Sequence, residues 1–92
     1  MTTDAIRYFL SYTGITLPLK LTGELKASDL RNRNTWFEAR YDDQGRVQSI
    51  LKQVYGEVEM SHQYEYDASG ALCRTTIQTG DEDPRIIERG AG

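Results

Sequence analysis

Along most of this chain apolar residues recur at every second position with polar residues between them, the period of a strand buried on one face. The alternation runs Ile6, Tyr8, Leu10, Tyr12 and then Ile15, Leu17, Leu19, Leu21. With Thr13-Gly14 between the two runs, it predicts a hairpin of strands 6 to 12 and 15 to 21 that pairs Tyr12 with Ile15, Leu10 with Leu17, Tyr8 with Leu19 and Ile6 with Leu21. Pro18 then points outward and marks the second strand as a sheet edge. Ile6, Phe9 and Leu10 also satisfy helical spacing, so a short amphipathic helix over 4 to 12 is the rival reading. From Thr22 to Asn34 the alternation lapses and the basic residues Lys20, Lys26, Arg31 and Arg33 collect, as in a solvated connection. Within it, Ser28-Asp29 can cap a single helical turn through Asn32. Further strands are predicted at 35 to 41, 46 to 55, 58 to 66 and 71 to 78.

One turn signature occurs twice, as Tyr41-Asp42-Asp43-Gln44-Gly45-Arg46-Val47 and as Tyr66-Asp67-Ala68-Ser69-Gly70-Ala71-Leu72, 25 residues apart. In Tyr-Asp-x-x-Gly the carboxylate can accept the backbone N–H two residues on, and the glycine can take the positive φ that closes a three-residue hairpin loop. Gly45 and Gly70 are therefore expected at positive φ. Between the copies, Gly56 suits the first position of a two-residue loop, pairing Tyr55 with Val58 and Leu51 with His62. The three turns together put Phe37, Tyr41, Val47, Leu51, Tyr55, Val58, Met60, His62, Tyr64, Tyr66 and Leu72 on a single face. A slip of one residue turns a strand over, so agreement among separate turns supports the register.

These elements make an all-β protein, an antiparallel meander of about six strands forming a small sandwich or a partly closed barrel. Residues 1 to 79 form one β domain, and 80 to 92, acidic and bearing Gly and Pro, a flexible C-terminal tail in which Ile86-Ile87 can add a short strand or order on a partner. The apolar face needs a cover. The N-terminal hairpin supplies it, or else joins the same sheet and leaves the face to a homodimer.

The repeated Tyr-Asp-x-x-Gly, followed one residue later by Val47 or Leu72, resembles the YD repeat of Rhs-type proteins, whose hairpins stack into β-sheet shells. The resemblance covers roughly residues 36 to 77, with Ala71 where that repeat favours a basic residue. Two copies cannot build a shell, so its encapsulating role does not carry over. The whole chain also resembles short uncharacterised bacterial proteins.

At 92 residues there is room for one domain, and the net charge of -3 argues against general affinity for nucleic acid or anionic membranes. No apolar run reaches membrane length, and the first residues lack the pattern of a signal peptide, so a cytoplasmic protein is expected. The single Cys73 excludes an intrachain disulfide and a cysteine-built zinc site, and His62, the lone histidine, excludes a histidine pair for a metal. His62 reads as a core or rim residue and Cys73 as structural beside Glu65. Glu57, Glu59 and Glu65 are the outward charges of half-buried strands. The expectation is no catalytic set, no metal and no cofactor.

The polar face is expected to carry Trp36 across from Lys52, with Ile50, Val54 and Ile77 on the same side and Glu38 and Arg40 nearby. Tryptophan and arginine are enriched where proteins bind each other. Trp36, Arg40 and Lys52, extended by Arg31 and Arg33, are the candidate partner-binding residues. The function expected is a small non-enzymatic accessory or inhibitory module that binds another protein. The alternative is a small-ligand-binding β-barrel with a tyrosine-lined cavity.

Overall fold

The alternating segments become seven antiparallel strands: β1 (Ala5–Thr13), β2 (Lys20–Leu25), β3 (Thr35–Tyr41), β4 (Val47–Val54), β5 (Glu57–Tyr66), β6 (Leu72–Thr79) and β7 (Arg85–Glu88). The structure, a computed structural model, describes residues 5–14 and 17–88. The strands lie in one sheet in the order β2-β1-β3-β4-β5-β6-β7. Its end strands β2 and β7 are not bonded to each other, so the sheet is open, where a sandwich or partly closed barrel was the expectation. β7 pairs Ile77 with Arg85 and Arg74 with Glu88, extending the sheet into the stretch expected as a tail.

Both Tyr-Asp-x-x-Gly copies fold into the same turn. Asp42 Oδ1 accepts the N–H of Gln44 and of Arg46, each at 2.9 Å. Asp67 Oδ1 accepts those of Ser69 at 2.9 Å and Ala71 at 3.1 Å. Gly45 and Gly70 stand at φ 81° and 87°, as the turn requires. Tyr66 lies against the first turn, donating its hydroxyl to the Val47 carbonyl at 2.6 Å and carrying the Arg46 guanidinium 4.9 Å from its ring.

Each hairpin of the meander also carries a one-residue bulge on its returning strand. Tyr41 pairs with Val47 but Arg40 with Ser49, so Gln48 is extra; Tyr66 pairs with Leu72 but Glu65 with Arg74, so Cys73 is extra. The repeat thus extends to the bulge, since Gln48 and Cys73 hold the same place in the two copies. In the middle hairpin the loop is Tyr55-Gly56, both at positive φ, with Val54 paired to Glu57 and Glu59 as the extra residue. Positive φ at both loop positions is the type I′ arrangement. The expected loop began one residue later.

These bulges correct the expected face. Beyond Gln48 the strand turns over, so Ile50, not Leu51, stands beside His62, and Leu51 pairs with Ser61 on the opposite side. Val58 joins Gln53 and Trp36 on that opposite side, while Tyr55 projects from its turn. The core consists of Phe9, Phe37, Ala39, Ile50 and Tyr64, flanked by Tyr41, Val47, Met60, Tyr66 and Leu72, with His62 and Thr75 buried among them.

The N-terminal segment is strand from Ala5 on, not the rival helix, because β3 offers it a partner along Ala5 to Phe9. Its hairpin is wider than expected: Tyr12 pairs with Leu21 and Tyr8 with Leu25, so Pro18 lies in the connection rather than on an edge strand. The expected pairing of Tyr12 with Ile15 falls partly outside the described residues. Up to Phe9 the hairpin is a neighbour in the sheet; beyond it, pairing to β3 stops and the tip turns onto the core face. Tyr12 meets the Phe37 ring edge-on at 5.6 Å, and Leu17, Leu19 and Leu21 pack against the core. Gly23, at φ 71°, sits at this twist opposite Leu10, where an added Cβ would lie 2.9 Å from the Leu10 side chain.

A buried hydrogen-bond chain ties the tip down. The Leu19 N–H donates to Tyr64 Oη at 3.3 Å, and Tyr64 Oη stands 2.7 Å from His62 Nδ1. Tyr64 Oη thus accepts the Leu19 N–H and shares a second hydrogen bond with His62 Nδ1, whose direction follows the imidazole tautomer. Burial pushes the Tyr64 phenol up to about 12 and holds His62 below its ordinary value.

Candidate functional site at the crossover connection

β2 and β3 both run antiparallel to β1 and flank it, so they are parallel to each other and the chain must cross β1 between them. The crossing is made by residues 26–34, which contain a short 3₁₀ helix, η1 (Ala27–Asn32). It begins where Asp29 Oδ2 accepts the Lys26 N–H at 2.9 Å while the Asp29 N–H donates to the Lys26 carbonyl. This is the helical turn expected near Ser28-Asp29, with Asp29 acting from inside it. Arg33 N–H donates to the Leu30 carbonyl at 3.2 Å as the helix ends, and the Asn34 carbonyl accepts the Tyr55 N–H at 2.7 Å. The connection is thus fixed at both ends.

Against the connection, between the end of β2 and the start of β3, lies a cleft of about 690 Å³ lined by Leu25, Asp29, Asn32, Arg33, Asn34 and Thr35. Leu25 is in register with Tyr8, and Tyr8 with Glu38, which places it on the face that bears Trp36. Thr35, which alternates with Trp36 along β3, belongs to the opposite face, so the cleft draws on both faces of the sheet. Its lining is mostly polar: a guanidinium, two amides, a hydroxyl and a carboxylate already engaged by backbone.

Of the candidate residues, Trp36 and Arg40 share the face of Leu25, with Glu38 between them along β3. Arg33 lines the cleft and Arg31 lies in the last turn of η1. Lys52 does not join them. The Gln48 bulge sets Gln53 across from Trp36 and Lys52 across from Phe37, so Lys52 belongs to the other face, where it pairs with Glu59 at 3.0 Å. Ile50, expected beside Trp36, is in register with His62 on the core face for the same reason, and Ile77 joins it there because Cys73 is extra in β6. Trp36 itself is half-buried, and its Nε1–H is buried without an acceptor. An unmatched buried donor costs about 1–3 kcal/mol.

Asp29, Asn32, Asn34 and Thr35 were not singled out from the sequence. Their signal was the lapse of alternation over 22 to 34, which marks a connection but not the cleft beside it. Elsewhere, the Cys73 thiol donates to the Glu65 carbonyl at 3.3 Å. Among the described residues no group of three or more His, Cys, Asp or Glu side chains could hold a metal ion, and no helix is long and apolar enough to cross a membrane.

The chain matches, over residues 1–91, the model of a family described as "Family of unknown function (DUF6156)", and it belongs to that family. No curated protein and no solved structure matches it.

Proposed function

We propose that this member of the DUF6156 family is a small non-enzymatic accessory or inhibitory module that works by binding another protein. Its binding surface combines the crossover connection, with Arg31 and Arg33, and the adjoining β3 face, with Trp36 and Arg40. One observation carries the reading: the two faces of the sheet are unequally covered. The tyrosine-rich face is closed by the chain's own hairpin tip, whereas the Trp36 face keeps Ile6, Leu10 and Val58 exposed around a tryptophan whose N–H has no acceptor. Tryptophan and arginine at the centre of such a surface are the side chains that most often dominate binding energy.

The absence of a catalytic role is supported by the side chains best suited to one. His62 is engaged with Tyr64 within the core, and Cys73 with a backbone carbonyl. A cytoplasmic setting goes with this reading, since Cys73 is a free thiol. Self-association through the tyrosine face has less in its favour, because Leu17, Leu19 and Leu21 already occupy it.

Arg40→Ala and Arg33→Ala, both at exposed positions, should each weaken capture of the native partner several-fold without moving the melting temperature. Trp36→Ala should weaken capture at least tenfold, but at some cost in stability because the ring is half-buried. Capture unchanged in all three variants would refute the surface.

A second reading has its own support. The 690 Å³ cleft falls in the range of about 300–1,000 Å³ usual for small-molecule sites. It would make the chain a small-ligand binder, though at a polar cleft without tyrosine in its lining. A thermal shift with a compound library that Arg33→Ala abolishes would favour this reading over the first.

A further inference from the structure

We infer that what binds at the crossover connection is an acidic, extended peptide segment of the partner. The inference rests on the protein-binding reading and adds the chemistry of the ligand.

Charge pairing over the described residues is uneven. Arg7 is paired with Glu24, Arg46 with Asp42, Lys52 with Glu59, and Arg74 with Glu65 and Glu88. Lys20, Lys26, Arg31, Arg33, Arg40 and Arg85 take part in no ion pair among the described residues. Three of these, Lys26, Arg31 and Arg33, fall in the single connection 26–34, and Lys20 starts the strand that leads to it. The one carboxylate of that connection, Asp29, is bound to the Lys26 backbone. A chain of net charge -3 therefore concentrates unpaired positive charge beside this cleft.

The lining suits a peptide better than a bare anion. Arg33 presents a planar fork that matches a carboxylate. Asn32, Asn34 and Thr35 supply amide and hydroxyl groups that can bond peptide units, and Leu25 offers an apolar contact for the side chain between two acids. Leu25 also ends β2, an edge strand whose outer backbone groups have no strand partner. An extended segment can pair with such an edge while its alternate side chains reach the cleft. A long phosphodiester is less suited, because beyond the connection it would meet a protein of the same sign.

The test uses the full chain and a fluorescein-labelled eight-residue peptide of alternating glutamate and valine, read by anisotropy at about 0.15 M salt, where exposed charges are screened beyond about 8 Å. Binding is expected. It should fall at least tenfold when glutamine replaces glutamate in the peptide, and at least tenfold in the double variant Arg31→Glu, Arg33→Glu. Arg85→Glu, at the far edge of the sheet, should change it less than twofold. If the double variant does not fold, Arg31→Gln with Arg33→Gln serves in its place. Equal binding of the two peptides, or an equal loss in Arg85→Glu, overturns the inference, as does tighter binding of an eight-nucleotide oligothymidylate. A native partner lost on Trp36→Ala but retained by the double variant also overturns it, while leaving the protein-binding reading intact. Glutamate-specific peptide binding in a chain that captures no protein would do the reverse.

Discussion

From Thr35 to Thr79 each reversal of the chain is set by the residues that make it, whereas the hairpin before it is held by contacts made far away in sequence. The meander uses loops of two or three residues, two of them copies of one Asp-centred turn whose hydrogen bonds are all local. The hairpin of β1 and β2 leaves Gly14 to Leu19 between its strands, and its tip is positioned by Tyr64, 45 residues on from Leu19. Local turns specify a register cheaply, because few residues must be ordered to close them. A wide loop specifies little by itself, so the tip takes the position that buries its leucines. The same contrast separates the two faces: the tip's leucines cover one, and the other keeps Ile6, Leu10 and Val58 exposed.

The largest effect should come from the register of the meander. Ile50→Ala should cost about 2–5 kcal/mol in urea unfolding, since Ile50 is fully buried, and Leu51→Ala no more than about 1 kcal/mol. Equal costs would mean that the Gln48 bulge does not turn the strand over. Next, Tyr64→Phe removes the hydroxyl between Leu19 and His62 and should cost about 1–3 kcal/mol. Amide exchange should quicken at Leu19 before it does in β4 or β5; uniform exchange would show that the tip and the meander are one cooperative unit.

Gly45→Val and Gly70→Val should each cost about 1 kcal/mol or more, because a β-branched residue is strained at positive φ. The two turns touch, since Tyr66 bonds the Val47 carbonyl and Arg46 reaches to 3.8 Å from where a Gly70 Cβ would lie, so the double variant should depart from the sum by about 0.5 kcal/mol or more.

The smallest effect separates the regions by pH. His62 titrates below 6.5 in the fold, so an unfolded chain binds the proton first. The stability it contributes is complete above 6.5 and declines as pH falls through its folded value. Asp42 and Asp67, held below 3.8 chiefly by hydrogen bonds from Arg46 and Ser69, contribute above 3.8 and lose that contribution as pH falls through their own folded values. Tyr12 and Leu19 signals should therefore shift in acid titration before those of Gly45 and Gly70. The opposite order would remove His62 as the link between tip and core.

The strands at 35 to 41, 46 to 55, 58 to 66 and 71 to 78 were legible almost to the residue, because alternation and turn chemistry act over a few positions. The bulges were not. Gln48, Glu59 and Cys73 carry no compositional mark of an extra residue; each is recognisable only from the partner strand that skips it. That single omission moved Ile50 and Lys52 to the core side and separated Lys52 from Trp36. Of the candidate site, the basic connection was visible as a lapse of pattern, but the cleft beside it depends on the crossing of β1.

The sequence by itself determined an all-β chain, the place and geometry of the two Asp-centred turns, and most of the tyrosine-rich face. These rest on side chains and dihedrals that are near neighbours. Only the tertiary structure decided that the sheet stays open, that the hairpin is half neighbour and half cover, and that Lys52 lies on the face away from Trp36 and Arg40. Those outcomes depend on which distant surfaces gain most by burial, and a periodic pattern shows that a face is apolar without showing what comes to lie on it.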